Sequence, residues 1–185
     1  MSEALAECVF NVPHAICGVE LRPLSLWHLW LLEFVRSPYV GASAAAEGTA
    51  GDLALALLLC SRAPSFPGDD VTTLFEVDAP FLERIEREGI TATSLAFQCY
   101  LQDHIALPRC WESGEGRPVK SPLCLYMAAV LMRHGRMSHA EAWATPYGYA
   151  RHLVLALAEA GGNEIALITS AEETALREAG HSVDS

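Results

Sequence analysis

The sequence predicts an all-α fold: a single compact multi-helix domain with minor β decoration near the N-terminus. Three observations carry that expectation. Apolar residues recur at helical spacing in one segment after another, and helix-starting residues and proline or glycine breakers bracket those segments. Strand-like patterning shows only at the beginning and in one short late stretch. With 185 residues, 51% apolar and 19% charged, the chain has the length of one domain and the apolar content to build a core.

Residues 1–23 read as an irregular or extended lead-in interrupted by Pro13, Gly18 and Pro23. They have room for a short hairpin in which residues 8–12 and 16–21 flank a Pro13-His14 turn. The first helix spans residues 24–36. Its stripe of Leu24, Trp27, Leu31 and Phe34 is widened by Leu26, Leu29 and Trp30, which predicts burial on most sides. Ser37-Pro38 ends it, because the residue before proline is pushed out of the helical region. Residues 41–51 form a small-residue linker expected to be mobile.

A second helix, residues 49–62, starts at Thr49 or Gly51-Asp52 and stops at Ala63-Pro64. Its centre, residues 53–60, is apolar all round and belongs in the middle of the core. Residues 65–70 make a loop. The third helix, residues 78–88, takes Asp78 as N-cap and Pro80 in its first turn. Its Glu83/Arg87 and Arg84/Glu88 pairs describe a solvated face, and Gly89 closes it. A fourth helix, residues 92–107, sets Leu95, Cys99, Gln102, Ile105 and Ala106 along one side.

Residues 109–121 are an exposed loop. Residues 122–134 form a helix apolar on most sides, with Gly135 as its C-terminal cap. Ser138 and Glu141 match a capping box opening a short helix to Ala144, and Pro146 starts a longer one, residues 147–160, closed by Gly161-Gly162. Residues 164–169 are extended or a short strand. Ser170 and Glu173 form a second capping box before a charged terminal helix ending at Gly180, and residues 181–185 are a tail.

Composition and motifs narrow the function. Twelve basic against 23 acidic residues give a net charge of −11, which argues against binding a phosphate backbone, where clustered Lys and Arg displace counterions. Eleven of the basic residues are arginines and Lys120 is the one lysine. The first seven residues carry two acids and no basic region, unlike a secretory signal. No apolar stretch approaches the roughly 20 residues a spanning helix needs, so a cytosolic protein with no membrane role is expected. GxGxxG, GxxxxGK[ST], GxSxG and HExxH are all absent.

The cysteines, at 8, 17, 60, 99, 110 and 124, include no CxxC pair. A metal site from Cys99, His104, Cys110 and Cys124 lacks the short ligand spacing of structural zinc, which favours buried cysteines and surface histidines. Cys110, beside Trp111, has His104 nearby in sequence but no base oriented by a third group. Trp27, Trp30, Phe34 and Tyr39 read as core before ligand pocket. Asp69-Asp70 lies in a breaker-rich loop, and Glu172-Glu173 complements a helix N-terminus. The apolar excess of a chain without a catalytic motif points to a protein partner, or to a homo-oligomer.

Three segments bear a resemblance. They are residues 21–33 (LRPLSLWHLWLLE) followed by Ser37-Pro38-Tyr39, residues 52–62 (DLALALLLCSR), and residues 141–148 (EAWATPYG) leading to Glu159-Ala160-Gly161-Gly162. Together they resemble the tail assembly chaperones of tailed bacteriophages and prophages. The resemblance implies a helical, non-enzymatic protein of the bacterial host cytoplasm, without cofactor or bound metal. Its partner would be an apolar helical client such as the tape-measure protein. On that reading Trp27, Trp30, Phe34, Trp143 and Tyr147 contribute to core or client groove. Two other readings stand beside it: a virion structural component (a head–tail connector or minor tail protein), and a small Cys/His metal-binding regulator or enzyme using Cys110, His104 and Cys124.

Overall fold

Two helix starts far apart in the sequence are tied back to back. Leu26 N donates to Thr145 O at 3.1 Å and Tyr147 N to Leu24 O at 2.7 Å, so Ser25 and Pro146 face each other as an isolated antiparallel bridge. Around that tie the computed structural model describes residues 14–41, 48–64, 72–105 and 121–163, with positions 172, 175 and 178. The described residues hold a two-stranded hairpin, β1 (His14–Ile16) and β2 (Val19–Leu21), and seven α-helices. The helices are α1 (Leu26–Phe34), α2 (Ala50–Ser61), α3 (Ala79–Glu88), α4 (Ile90–Ile105), α5 (Leu123–Arg133), α6 (His139–Ala144) and α7 (Tyr147–Ala160), with a 3-10 turn at Thr72–Phe75. The all-α expectation with minor β decoration is met.

The hairpin is built differently from the expectation. His14 pairs with Leu21 and Ile16 with Val19, so the turn is Cys17-Gly18 rather than Pro13-His14. Both turn residues have positive φ, 51° and 69°, the geometry that matches the right-handed twist of the strands. Gly18 meets that demand without strain; Cys17 is held there by its contacts. Its carbonyl accepts from Arg84 Nη1 at 3.1 Å, and its buried sulfur lies 3.6 Å from Thr93 Oγ1.

α2 is the centre of the domain, packing against α1, β2, the 3-10 turn, α3 and α4. Leu53, Ala54, Ala56, Leu57, Leu59 and Cys60 are all buried, as its apolar run predicts. Thr49 caps it, exchanging hydrogen bonds with Asp52. β2 is pinned to its far end, where Arg22 N donates to Cys60 O at 2.9 Å. α1 joins this layer to α5, α6 and α7.

Elsewhere, local chemistry explains the boundaries. Asp78 Oδ1 accepts from Phe81 N at 2.8 Å, with Pro80 in the first turn, and Gly89 ends α3 at φ 95°. α6 opens with the Ser138–Glu141 capping box. Gly135 is not in the left-handed region. Arg136 takes that conformation, at φ 55°, and Gly135 is needed because a Cβ there would stand 2.7 Å from Leu131 O.

α4 is rotated relative to the side singled out in the sequence. Thr93, Phe97, Tyr100, Leu101 and His104 are buried, whereas Leu95 is 62% exposed and Cys99 is exposed. Polar members of the true face are accepted because Thr93 meets Cys17 and His104 meets Tyr100 edge to face. Residues 1–13, most of the 41–51 linker, the 65–70 loop, nearly all of the 109–121 loop, the 164–169 segment and the 181–185 tail lie outside the described residues. Of the terminal helix, 172, 175 and 178 are described, and all are helical. No helix among the described residues is long and apolar enough to cross a membrane.

Candidate functional site

The five aromatic residues singled out in the sequence divide between interior and surface. Trp27, Trp143 and Tyr147 are buried. Trp30 and Phe34 face outward, 36% and 65% exposed, so α1, buried on most sides as its wide stripe predicts, is open along one. One helical turn apart, they stack with ring centroids at 5.7 Å.

These two rings belong to a longer strip. Trp30 meets Trp143 edge to face at 5.9 Å, Trp143 meets His139 at 6.2 Å, and Phe34 reaches Phe75 of the 3-10 turn at 6.5 Å. Phe75 is also exposed. The order across the surface is therefore Phe75, Phe34, Trp30, Trp143, His139, from three elements separated in sequence. Trp143 roots the strip in the core. Glu76, Val77 and Asp78, which follow Phe75 in the chain, line a hollow of about 400 Å³ together with Leu58 and Arg62. Trp30, Phe34 and Phe75 are exposed and in ring contact, so the strip presents apolar area at the surface, where an aromatic side chain buries about 150–250 Å² when covered, a generic figure.

The histidines are not all on the surface. His28 is buried beneath α1: its Nδ1 accepts from Ser25 N at 3.1 Å, so its Nε2 carries the proton and donates to Arg62 O at 2.9 Å. Burial, chiefly, pushes its pKa down to about 4. His104 is buried against Tyr100, ring centroids 4.8 Å apart, and against His14 at 5.7 Å. Its Nε2 has no hydrogen-bond partner among the described residues. Desolvation first, then the neighbouring His14, lower its pKa to about 4. His14 Nε2 stands 3.2 Å from Asp103 Oδ2, near enough for ion pairing but outside hydrogen-bond geometry.

The cysteines divide likewise. Cys17, Cys60 and Cys124 are buried and Cys99 is exposed. Burial raises the Cys60 and Cys124 thiols to about 12, which keeps them protonated and poor nucleophiles. Cys124 senses Glu33, whereas His104 senses His14 and Asp103, so these two have separate surroundings; Cys110 lies outside the described residues. Among the described residues no group of three or more His, Cys, Asp or Glu is placed to hold a metal ion. Sequence reasoning missed Phe75, whose place on the strip depends on tertiary packing, and the Ser25–His28 cap, which has histidine where Glu or Gln is usual.

No protein-family model matches the chain, and neither does any curated protein or solved structure.

Proposed function

We propose that this chain is a non-enzymatic assembly protein that covers an apolar helix of a client, acting in the bacterial host cytoplasm as a tail assembly chaperone of a tailed phage or prophage. The protein-binding part of this reading is carried by one observation: the exposed strip Phe75–Phe34–Trp30 anchored on buried Trp143. A strip one or two helical turns long fits a single helix laid along it, reading apolar positions at i, i+3, i+4 and i+7. Covering exposed apolar area at about 25 cal/mol per Å² is the driving force. The assignment to tail assembly, with a tape-measure protein as client, rests on the resemblance carried by residues 21–33, 52–62 and 141–148.

Co-expression with the candidate tape-measure protein, followed by pull-down and size-exclusion with mass determination, tests this. The expected result is soluble capture of the client by the native chain, loss of capture by the Trp30→Ala/Phe34→Ala double variant, and absence of the chain from finished particles. Retention in particles favours a structural component instead. No capture, with the strip variants indistinguishable from the parent, rejects the reading.

A further inference from the structure

We infer that Glu33 makes the aromatic strip selective for an amphipathic client helix that carries an arginine at the edge of its apolar stripe. This rests on the strip being a protein-binding surface. The elements that carry the strip are α1, the 3-10 turn and α6, and between them they contain Glu33 and Glu141 but no Lys or Arg. Glu141 is engaged, its carboxylate accepting from Ser138 N and Oγ at 2.8 and 2.7 Å. Glu33 is exposed and has no hydrogen bond or ion pair among the described residues. Three residues after Trp30, it lies on Trp30's side of the helix, and on its other flank it acts on Cys124 and Tyr147.

The geometry therefore sets a carboxylate with no partner among the described residues one helical turn from Trp30, whose exposed ring stacks on Phe34. Partial desolvation already holds the Glu33 carboxyl above its usual range, so a cation arriving there meets a group short of solvation. A guanidinium satisfies both neighbours: its planar fork pairs with a carboxylate while its face lies on an aromatic ring. Glu76, exposed next to Phe75, adds a second acid at the far end. Arg36 is the nearest basic residue along the chain, and it lies beyond the Val35 cap in a left-handed conformation, φ 54°. The net charge of −11 draws a basic partner toward the surface from a distance.

The test uses the full chain and three synthetic amphipathic helical peptides with the same apolar stripe, flanked by Arg, Lys or Gln, titrated by calorimetry. The expected order is Arg, then Lys, then Gln. Glu33→Gln should weaken the Arg peptide about fivefold, the upper range for an exposed pair, and leave the Gln peptide unchanged. Raising the salt should narrow the gap between Arg and Gln peptides. Phe34→Ala should weaken all three peptides together. Equal affinity for all three, untouched by Glu33→Gln, overturns the charge selectivity and leaves the strip standing if Phe34→Ala still weakens binding. Failure of every peptide to bind, or binding indifferent to Phe34→Ala, overturns the strip and the selectivity together.

Discussion

His28 Nε2 and the carbonyl oxygen of Arg62 are joined at 2.9 Å, linking the first turn of α1 to the residue that ends α2. The same imidazole closes the α1 cap, with Nδ1 at 3.1 Å from Ser25 N and 2.9 Å from Ser25 Oγ. One buried ring thus serves a helix start and a helix end. Replacing His28 by Ala should cost about 3 kcal/mol, because a cavity forms and polar groups lose partners. Gln can restore the cap, as the usual residue of a capping box, but not the full reach to Arg62, so His28→Gln should cost less, about 1–2 kcal/mol. Urea unfolding at pH 7.5 measures both; equal losses would mean the Arg62 bond and ring packing, not the cap, dominate.

Acid should destabilise the fold earlier than carboxylate protonation would. His28 and His104 have folded pKa values of about 4 against an ordinary 6.5. Between those values the unfolded chain binds protons that the folded chain refuses, so stability is fully present above pH 6.5 and falls toward pH 4. The fall is about 3 kcal/mol per histidine, and His152, lowered by burial, acts in the same direction. Denaturation midpoints from pH 7.5 to 4.5 should show this slope. His104→Phe, which keeps an aromatic ring against Tyr100 and deletes an Nε2 with no partner among the described residues, should make the slope shallower and match or exceed the parent at pH 5.

Interior and surface aromatics should separate in stability. Trp27→Ala empties a core position and should cost about 3–5 kcal/mol. Phe34→Ala, at a site 65% exposed, should stay within about 0.5 kcal/mol of the parent. A large loss on thermal melting of Phe34→Ala would show that the strip is structural.

Thiol chemistry offers an independent check on the rotation of α4. In a Cys8→Ser/Cys110→Ser background, one thiol, Cys99, should react quickly with an aromatic disulfide reagent under native conditions. Cys17, Cys60 and Cys124, buried and with raised pKa values, should react only on unfolding. Rapid reaction of more than one thiol would contradict the burial of Cys17, Cys60 or Cys124.

The positions of helices were legible because their signals are local. Thr49, Asp78, Ser138 and Pro146 mark starts through groups within the first turn, and each lies next to the helix it was expected to open. Which face turns inward was less legible. In α4, counting apolar residues favoured Leu95 and Cys99, while the buried face includes Thr93 and His104, whose partners Cys17 and His14 come from the hairpin. The candidate site was legible in part for the same reason. Trp30 and Phe34 are neighbours by helical spacing, but their exposure and the addition of Phe75 depend on how α1, α6 and the 3-10 turn meet.

The Ser25–Pro146 bridge also sets an order of events during synthesis. Leu24 and Leu26 wait for Thr145 and Tyr147 to complete their backbone pairing, and Trp30 waits for Trp143. Contacts separated by more than a hundred residues form late and slowly. Before residues 143–147 have been made, α1 can rest on α2 and His28 can reach the Arg62 carbonyl, but Trp30 lacks the Trp143 ring against which it packs. The full aromatic strip, from Phe75 to His139, is therefore assembled only after α6 has been made, from residues that enter the chain more than a hundred positions apart.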